Sequence, residues 1–135
     1  MREILFRGKR TDNGEWIEGY YFRSEQLHFI ILSNSTGSFN QGVCCAHIDY
    51  CYNVLPETVG KHTGLADKNK HPVFEGDIIK YDGRYGKVVY WPKYAKFIVV
   101  FPDWFTDFGY HLMPEYFEVV GNIFDNAELL KGATK

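Results

Sequence analysis

The run Glu75-Gly76-Asp77-Ile78-Ile79-Lys80-Tyr81-Asp82-Gly83-Arg84-Tyr85-Gly86-Lys87-Val88-Val89-Tyr90-Trp91 constrains the fold more than any other part of the chain. It reads as turn, strand, glycine turn, strand. A glycine before an acid can open a strand, because glycine takes positive φ and the aspartate side chain accepts backbone N–H bonds. Asp77 is expected in that structural role, in preference to a Glu75/Asp77 carboxylate pair doing acid–base work. Three strands are expected in succession, Ile78 to Tyr81, Lys87 to Trp91 and Lys96 to Phe101. Gly83-Arg84-Tyr85-Gly86 and Pro92-Lys93-Tyr94-Ala95 are expected as the turns between them. Gly83 to Gly86 lacks the following helix and the Lys-Ser/Thr pair of a phosphate loop. This is the pattern of a small, strongly bent barrel.

Composition agrees with a β-dominated chain. Twenty-one of the 24 aromatic residues are Phe or Tyr, and 13 Gly and 5 Pro interrupt the chain too often for long helices. At 135 residues the chain can bury a core without disulfides. The expected architecture is mainly β. An antiparallel sheet (residues 1–60) packs on a small SH3-like bent barrel (residues 61–135), which ends in a short C-terminal helical turn capped by Asp125 or Asn126. The two lobes are also compatible with one continuous domain.

In the first lobe, Ile4 to Arg10 and Glu15 to Phe22 form a hairpin about Asp12-Asn13-Gly14. Leu27 to Leu32 is a third strand, and Ser33 to Gln41 is a polar loop. Val43 to Leu55 is a further strand, broken near Asp49. The residues from Ala66 to Pro72 form a turn, and Phe117 to Phe124 is the closing strand.

Three cysteines, Cys44, Cys45 and Cys51, are an odd count for a disulfide framework. The N-terminus has no apolar signal core and no apolar run approaches a membrane span. The expectation is a protein of the bacterial cytoplasm with no membrane association. Cys44, Cys45, His47 and Cys51 are metal-ligand residue types, but a single strand spreads them instead of converging them tetrahedrally. No metal or other cofactor is expected. His28, His62 and His71 stand apart, with no spacing that suggests a nucleophile and its base. No catalytic residue is assigned, and an enzyme is not expected.

Charge is uneven although the net charge is only −2. From Lys80 to Lys96 there are five basic residues and one acid, and from Phe97 to Leu130 there are six acids and no Lys or Arg. Arg84, Tyr85, Lys87, Trp91, Lys93, Tyr94 and Lys96 mix cations with rings, which can stack bases and meet phosphates. Asp103, Trp104, Phe105, Asp107, Phe108 and Tyr110 form an acidic aromatic loop suited to a protein interface. The two readings differ spatially. A basic face shared with exposed rings favours nucleic acid; a face interrupted by the acids of the tail favours a protein.

Three blocks of sequence resemble the YopX family of small phage and prophage proteins. The first is Phe6-Arg7-Gly8-Lys9 with Glu15-Trp16-Ile17-Glu18-Gly19-Tyr20. The second comprises Pro56-Glu57-Thr58-Val59-Gly60, Thr63-Gly64-Leu65, Asp67-Lys68-Asn69 and Glu75-Gly76-Asp77-Ile78. The third is Val120-Gly121-Asn122-Ile123-Phe124-Asp125-Asn126, with Leu129-Leu130. His71-Pro72 departs from the family's usual glycine and lysine-like pair. The resemblance implies a phage or prophage origin and a β-rich fold, and brings no catalytic residues with it. The expected function is that of a phage or prophage accessory protein that acts by binding. Its partner is a host or phage protein or a second copy of itself. The alternative is a small nucleic-acid-binding barrel using the Lys80 to Lys96 face, with weak affinity.

Overall fold

The computed structural model describes residues 4–32, 37–40, 45–48, 50–109 and 112–132, with the backbone alone for 37–40, 45–48 and 132. The described residues are mainly β, with antiparallel sheets and one short α-helix. The chain divides into two compact units, Met1–Lys61 and His62–Lys135.

The first unit starts with β1 (Phe6–Lys9) and β2 (Trp16–Ser24), joined by a turn in which Gly14 has φ 73°. β3 (Leu27–Leu32) follows. β4 (Gly37–Asn40) and β5 (Cys45–Ile48) pair as a separate two-stranded ribbon. Residues 37–40 thus lie in a strand, where their polar composition suggested loop. β6 (Cys51–Asn53) returns to pair with β3. Tyr50, at φ 55°, separates β5 from β6, so the break expected near Asp49 is present, although Asp49 itself lies outside the described residues.

Among the described residues, Ile30 and Val54 are the buried apolar side chains of this unit. A Cβ on Gly8 would lie 3.0 Å from Val54, so the backbone of β1 approaches that core directly. Thr58, in a 3-10 turn over Pro56–Thr58, joins this turn to β1. Its Oγ1 accepts the Lys9 N–H at 2.9 Å and donates to the Leu55 carbonyl at 2.6 Å.

β7 (Gly60–Ala66) crosses from one unit to the next. Its first residues pair with β1, and its later ones pair with β8 (Pro72–Phe74). The second unit continues with β9 (Asp77–Tyr81), β10 (Arg84–Trp91), β11 (Lys96–Val100), β12 (Phe105–Asp107) and β13 (Phe117–Asn122), then α1 (Glu128–Gly132). The sheet order is β12-β11-β10-β9-β13. Strands β9 to β12 follow one another in the sheet, β13 adds on the far side of β9, and among the described residues no ladder joins β12 to β13.

β10 begins at Arg84, three residues before the expected start. The turn is Asp82-Gly83 alone, with φ 50° and 76°. Two consecutive positive φ angles make the tight hairpin that matches strand twist, and Asp-Gly supplies them at little cost. Gly86 therefore lies within the strand. A Cβ there would come within 2.7 Å of Val99 and 2.9 Å of Phe101, so its lack of a side chain makes room for the Phe101 ring.

One face of the sheet carries Ile79, Val88, Val99, Phe101 and Phe117, which cluster with Val73 and Leu112. Each such burial contributes about 1.5–3 kcal/mol. On the opposite face Ile78 and Ile98 are buried, and α1 packs on β10.

Two buried carboxylates organise the ends of this sheet. Asp77 Oδ2 accepts the Phe74 N–H at 2.8 Å across a turn in which Gly76 has φ 94°. Asp67 accepts the N–H groups of Asn69 and His71 through Oδ1 and that of Val119 through Oδ2. Burial pushes the Asp67 carboxyl up, but the Val119, His71 and Asn69 amides outweigh it and hold it below the usual range.

The third block, Val120 to Asn126, closes the sheet. β13 bulges between Val119 and Gly121. A Cβ on Gly121 would meet Asn126 Oδ1 at 2.5 Å, and that oxygen accepts the Asn122 N–H at 3.1 Å. Asn122 Oδ1 in turn accepts the amides of Phe124 and Asp125, at 3.0 and 2.9 Å. The Asn126 side chain thus turns back to Asn122, where a forward helix cap was one expectation.

Candidate interaction surface

The structure redistributes the basic residues of the 80–96 stretch. Arg84, at the turn end of β10, lies on the core-facing side of the sheet. Its guanidinium stands 5.4 Å from the Phe101 ring and 5.6 Å from Trp104, and it forms an ion pair with Asp103. Phe101 and Trp104 stack at 5.1 Å with an interplanar angle of 10°. Lys80 stands across from Glu118 in the β9–β13 ladder and over the Tyr85 ring.

A second group forms where β10 runs into β11. The 3-10 turn Pro92–Tyr94 ends on Ala95 in the left-handed region, whose N–H returns to the Pro92 carbonyl. Proline at the first position pre-sets φ for such a turn. The turn folds Tyr94 against Trp91, at 4.5 Å between centroids and 74°. Phe105 meets the same indole at 5.2 Å and 87°. Edge-to-face contacts are the favourable geometry for aromatic quadrupoles. Tyr94 and Phe105 nevertheless remain 53% and 55% exposed.

Lys96 Nζ lies 5.9 Å from Trp91 and 5.7 Å from Tyr94, and 2.9 Å from Asp107 Oδ2. Lys93 stands 5.5 Å over Tyr94. Tyr90 and Phe97, opposite each other in the ladder, make a further edge contact at 5.2 Å.

Residues assigned to two separate sequence regions therefore meet. Asp103 and Trp104 belong with Arg84, and Phe105 and Asp107 with Trp91, Tyr94 and Lys96. Phe108 packs on Phe117 at 5.7 Å and joins the core. Lys87 stands opposite Val100, itself opposite Phe105, and lines a cleft with Val100, Phe101, Pro102 and Leu130. Tyr110, proposed for the same interface, lies outside the described residues.

The cysteine and histidine positions are dispersed. Cys45 and His47 lie on β5, while Cys51 is exposed on β6, which belongs to a different sheet. The single strand expected to carry Cys45, His47 and Cys51 is therefore two strands in different sheets. Cys44 lies outside the described residues. His28 Nδ1 is 2.5 Å from the Tyr21 hydroxyl, His62 packs on Phe74 at 5.1 Å, and exposed His71 is 3.8 Å from Asp67. Among the described residues no helix is long and apolar enough to cross a membrane.

Sequence reasoning missed one grouping in the first unit. Arg7 and Lys9 both stand over Trp16, at 4.9 and 5.7 Å. Its signal was present: alternate residues of a strand share a face, and the hairpin register places Lys9 opposite Trp16.

The five-stranded antiparallel sheet, its bulged last strand and the Asp67 and Asp77 turns define a small β protein whose three sequence blocks supply its framework. The family described as YopX protein matches residues 5–131, and the chain belongs to it. Among solved structures, protein EF1440 from Enterococcus faecalis is similar in fold, with a TM-score of 0.68. The two are 24% identical, over 96% of this chain and 99% of that one. The comparison with curated proteins gives no match.

Proposed function

We propose that this protein is a non-enzymatic phage or prophage accessory protein that binds another protein in the bacterial cytoplasm through the Trp91, Tyr94 and Phe105 patch. The origin rests on family membership. The observation that carries the binding reading is the neutralisation of the basic stretch by its own acids, Arg84 by Asp103 and Lys96 by Asp107. A phosphate-binding surface presents cations to solvent, because affinity comes from displacing counterions. Here two of the cations are already paired, and what remains prominent is a set of exposed rings beside paired charges. Aromatic residues at the centre of a patch with charge at the rim are the usual composition of a protein interface. The non-enzymatic reading is supported by Asp67 and Asp77, whose buried carboxylates accept backbone amides.

The test is capture from nuclease-treated lysates of bacteria carrying the prophage, by wild type and by Trp91→Ala/Phe105→Ala. A protein retained by wild type, identified by mass spectrometry and lost with the variant at an unchanged melting temperature, supports the reading. Capture that disappears with nuclease, or that the variant keeps in full, overturns it.

A further inference from the structure

In the first unit, one face of β2, β3 and β6 holds the buried Ile30 and carries on to Val54. The register defines the other face. Tyr20 stands opposite Ile31, and Ile31 opposite Cys51. Phe22 stands opposite Phe29, Phe29 opposite Asn53, and Ser24 opposite Leu27. Opposite residues share a face, and so do alternate residues of a strand. Tyr20, Phe22 and Leu27 are 41%, 47% and 55% exposed there, and Phe29 and Ile31 are half-buried. The Phe22 and Phe29 rings meet at 4.9 Å in the middle row. An antiparallel sheet with one face on a core commonly turns polar residues to water on the other. This face is mostly apolar, and none of its positions on β2, β3 and β6 from Tyr20 onward carries a charge. Charge returns only towards β1, where Glu18 stands opposite Arg7.

We propose that this face packs on the same face of a second copy of the chain, about a two-fold axis near the Phe22–Phe29 pair. Close to such an axis each side chain approaches its own copy, so a charge there would meet its like. An uncharged face meets that condition. A different partner imposes no such restriction, and its charges are ordinarily answered by opposite charges on the surface it docks to. Two sheets can pack face to face with their side chains interdigitated, as they do in sandwiches. The exposed area is about 500 Å² on each copy and about 1,000 Å² in the pair, the lower bound for a specific interface. A dimer of that size is reversible, with a micromolar Kd. The face uses none of the residues of the Trp91 patch.

The test is analytical ultracentrifugation of the full chain in reducing buffer, from about 1 μM to about 1 mM. Wild type is expected to show a reversible monomer–dimer equilibrium. Phe22→Lys and Phe22→Glu should each be monomeric across that range, at a near wild-type melting temperature because the side chain is already exposed. An equimolar mixture of the two should dimerise again, since the introduced charges then face their opposites across the axis. Tyr20→Lys, at a second exposed position, should weaken the dimer at least about tenfold, a difference of about 1.4 kcal/mol. Trp91→Ala/Phe105→Ala should dimerise as wild type does, which separates this proposal from the patch. A wild type that stays monomeric, a dimer that survives Phe22→Lys and Tyr20→Lys, or a mixture that stays monomeric would overturn it. Loss of the dimer in Trp91→Ala/Phe105→Ala would also overturn it, by assigning self-association to the patch. So would a different protein bound by a monomeric chain and lost with Phe22→Lys, by assigning the face to that partner.

Discussion

Asp67 and Val119 are 52 positions apart, and the Asp67 carboxylate accepts the Val119 N–H at 2.8 Å. The bond falls where β13 bulges, at a residue whose amide faces away from the β9 ladder. The same carboxylate closes its own turn through Asn69 and His71, at 2.9 and 2.8 Å. One buried side chain thus ties the β7–β8 turn to the edge strand of the five-stranded sheet.

Asp67→Asn should destabilise the protein by about 2–3 kcal/mol at pH 7, since it weakens hydrogen bonds to a charged acceptor and can present an NH₂ group to an amide donor. The folded carboxyl titrates below its unfolded value of about 3.9. Its contribution is therefore complete above that value and lost as pH falls from about 4 through the folded pKa. Urea unfolding at pH 7 and about pH 3.5 should show wild type losing more stability on acidification than the variant. Equal losses would remove Asp67 as the source.

Gly76→Val should be destabilising because φ is 94°, a region that β-branched residues resist. Asp77→Ala should cost at least about 1 kcal/mol through the lost bond to the Phe74 N–H and the buried donor it leaves. Thermal melts check both. A wild-type melting temperature in either variant would contradict the structural role.

Gly86→Ala should cost about 1–3 kcal/mol by overpacking, because its new methyl would press on Val99 and Phe101. Adding Phe101→Leu should recover part of that loss, since the two sites share the same space. A double-mutant cycle by chemical denaturation measures the coupling. Strict additivity would show that Phe101 is not what Gly86 accommodates.

The strands were legible where turn chemistry and alternation agreed. Asn13-Gly14 marked the first hairpin, and Leu27 to Leu32 was read with its observed bounds. Gly86 misled because a buried glycine beneath an aromatic ring looks, in one dimension, like a turn glycine. Residues 37–40 were misread because their pairing with β5 leaves no trace in a polar composition. The interaction surface was legible as residue types but not as groups. Its basic and acidic members were assigned to different faces because they occupy different stretches of sequence. The β10–β11–β12 register brings them together, setting Trp91 opposite Lys96 and Ile98 opposite Asp107. Asp67 was read only as part of a turn, since nothing local signals a partner on β13.

The ion pairs make a sharp prediction about nucleic acid. With Arg84 and Lys96 engaged by Asp103 and Asp107, the exposed cation beside the rings is Lys93, with Lys87 in its cleft. Short DNA and RNA should therefore bind weakly or not at all in an anisotropy titration at about 0.1 M salt, where screening acts over about 10 Å. Lys87→Glu with Lys93→Glu should change that little. Asp103→Asn with Asp107→Asn frees both paired cations and should raise non-specific affinity, with a steeper dependence on salt as more counterions are released. Sub-micromolar binding by the wild type, abolished by the double charge reversal, would instead assign this surface to a phosphate backbone. It would also displace the protein-binding reading of the Trp91 patch.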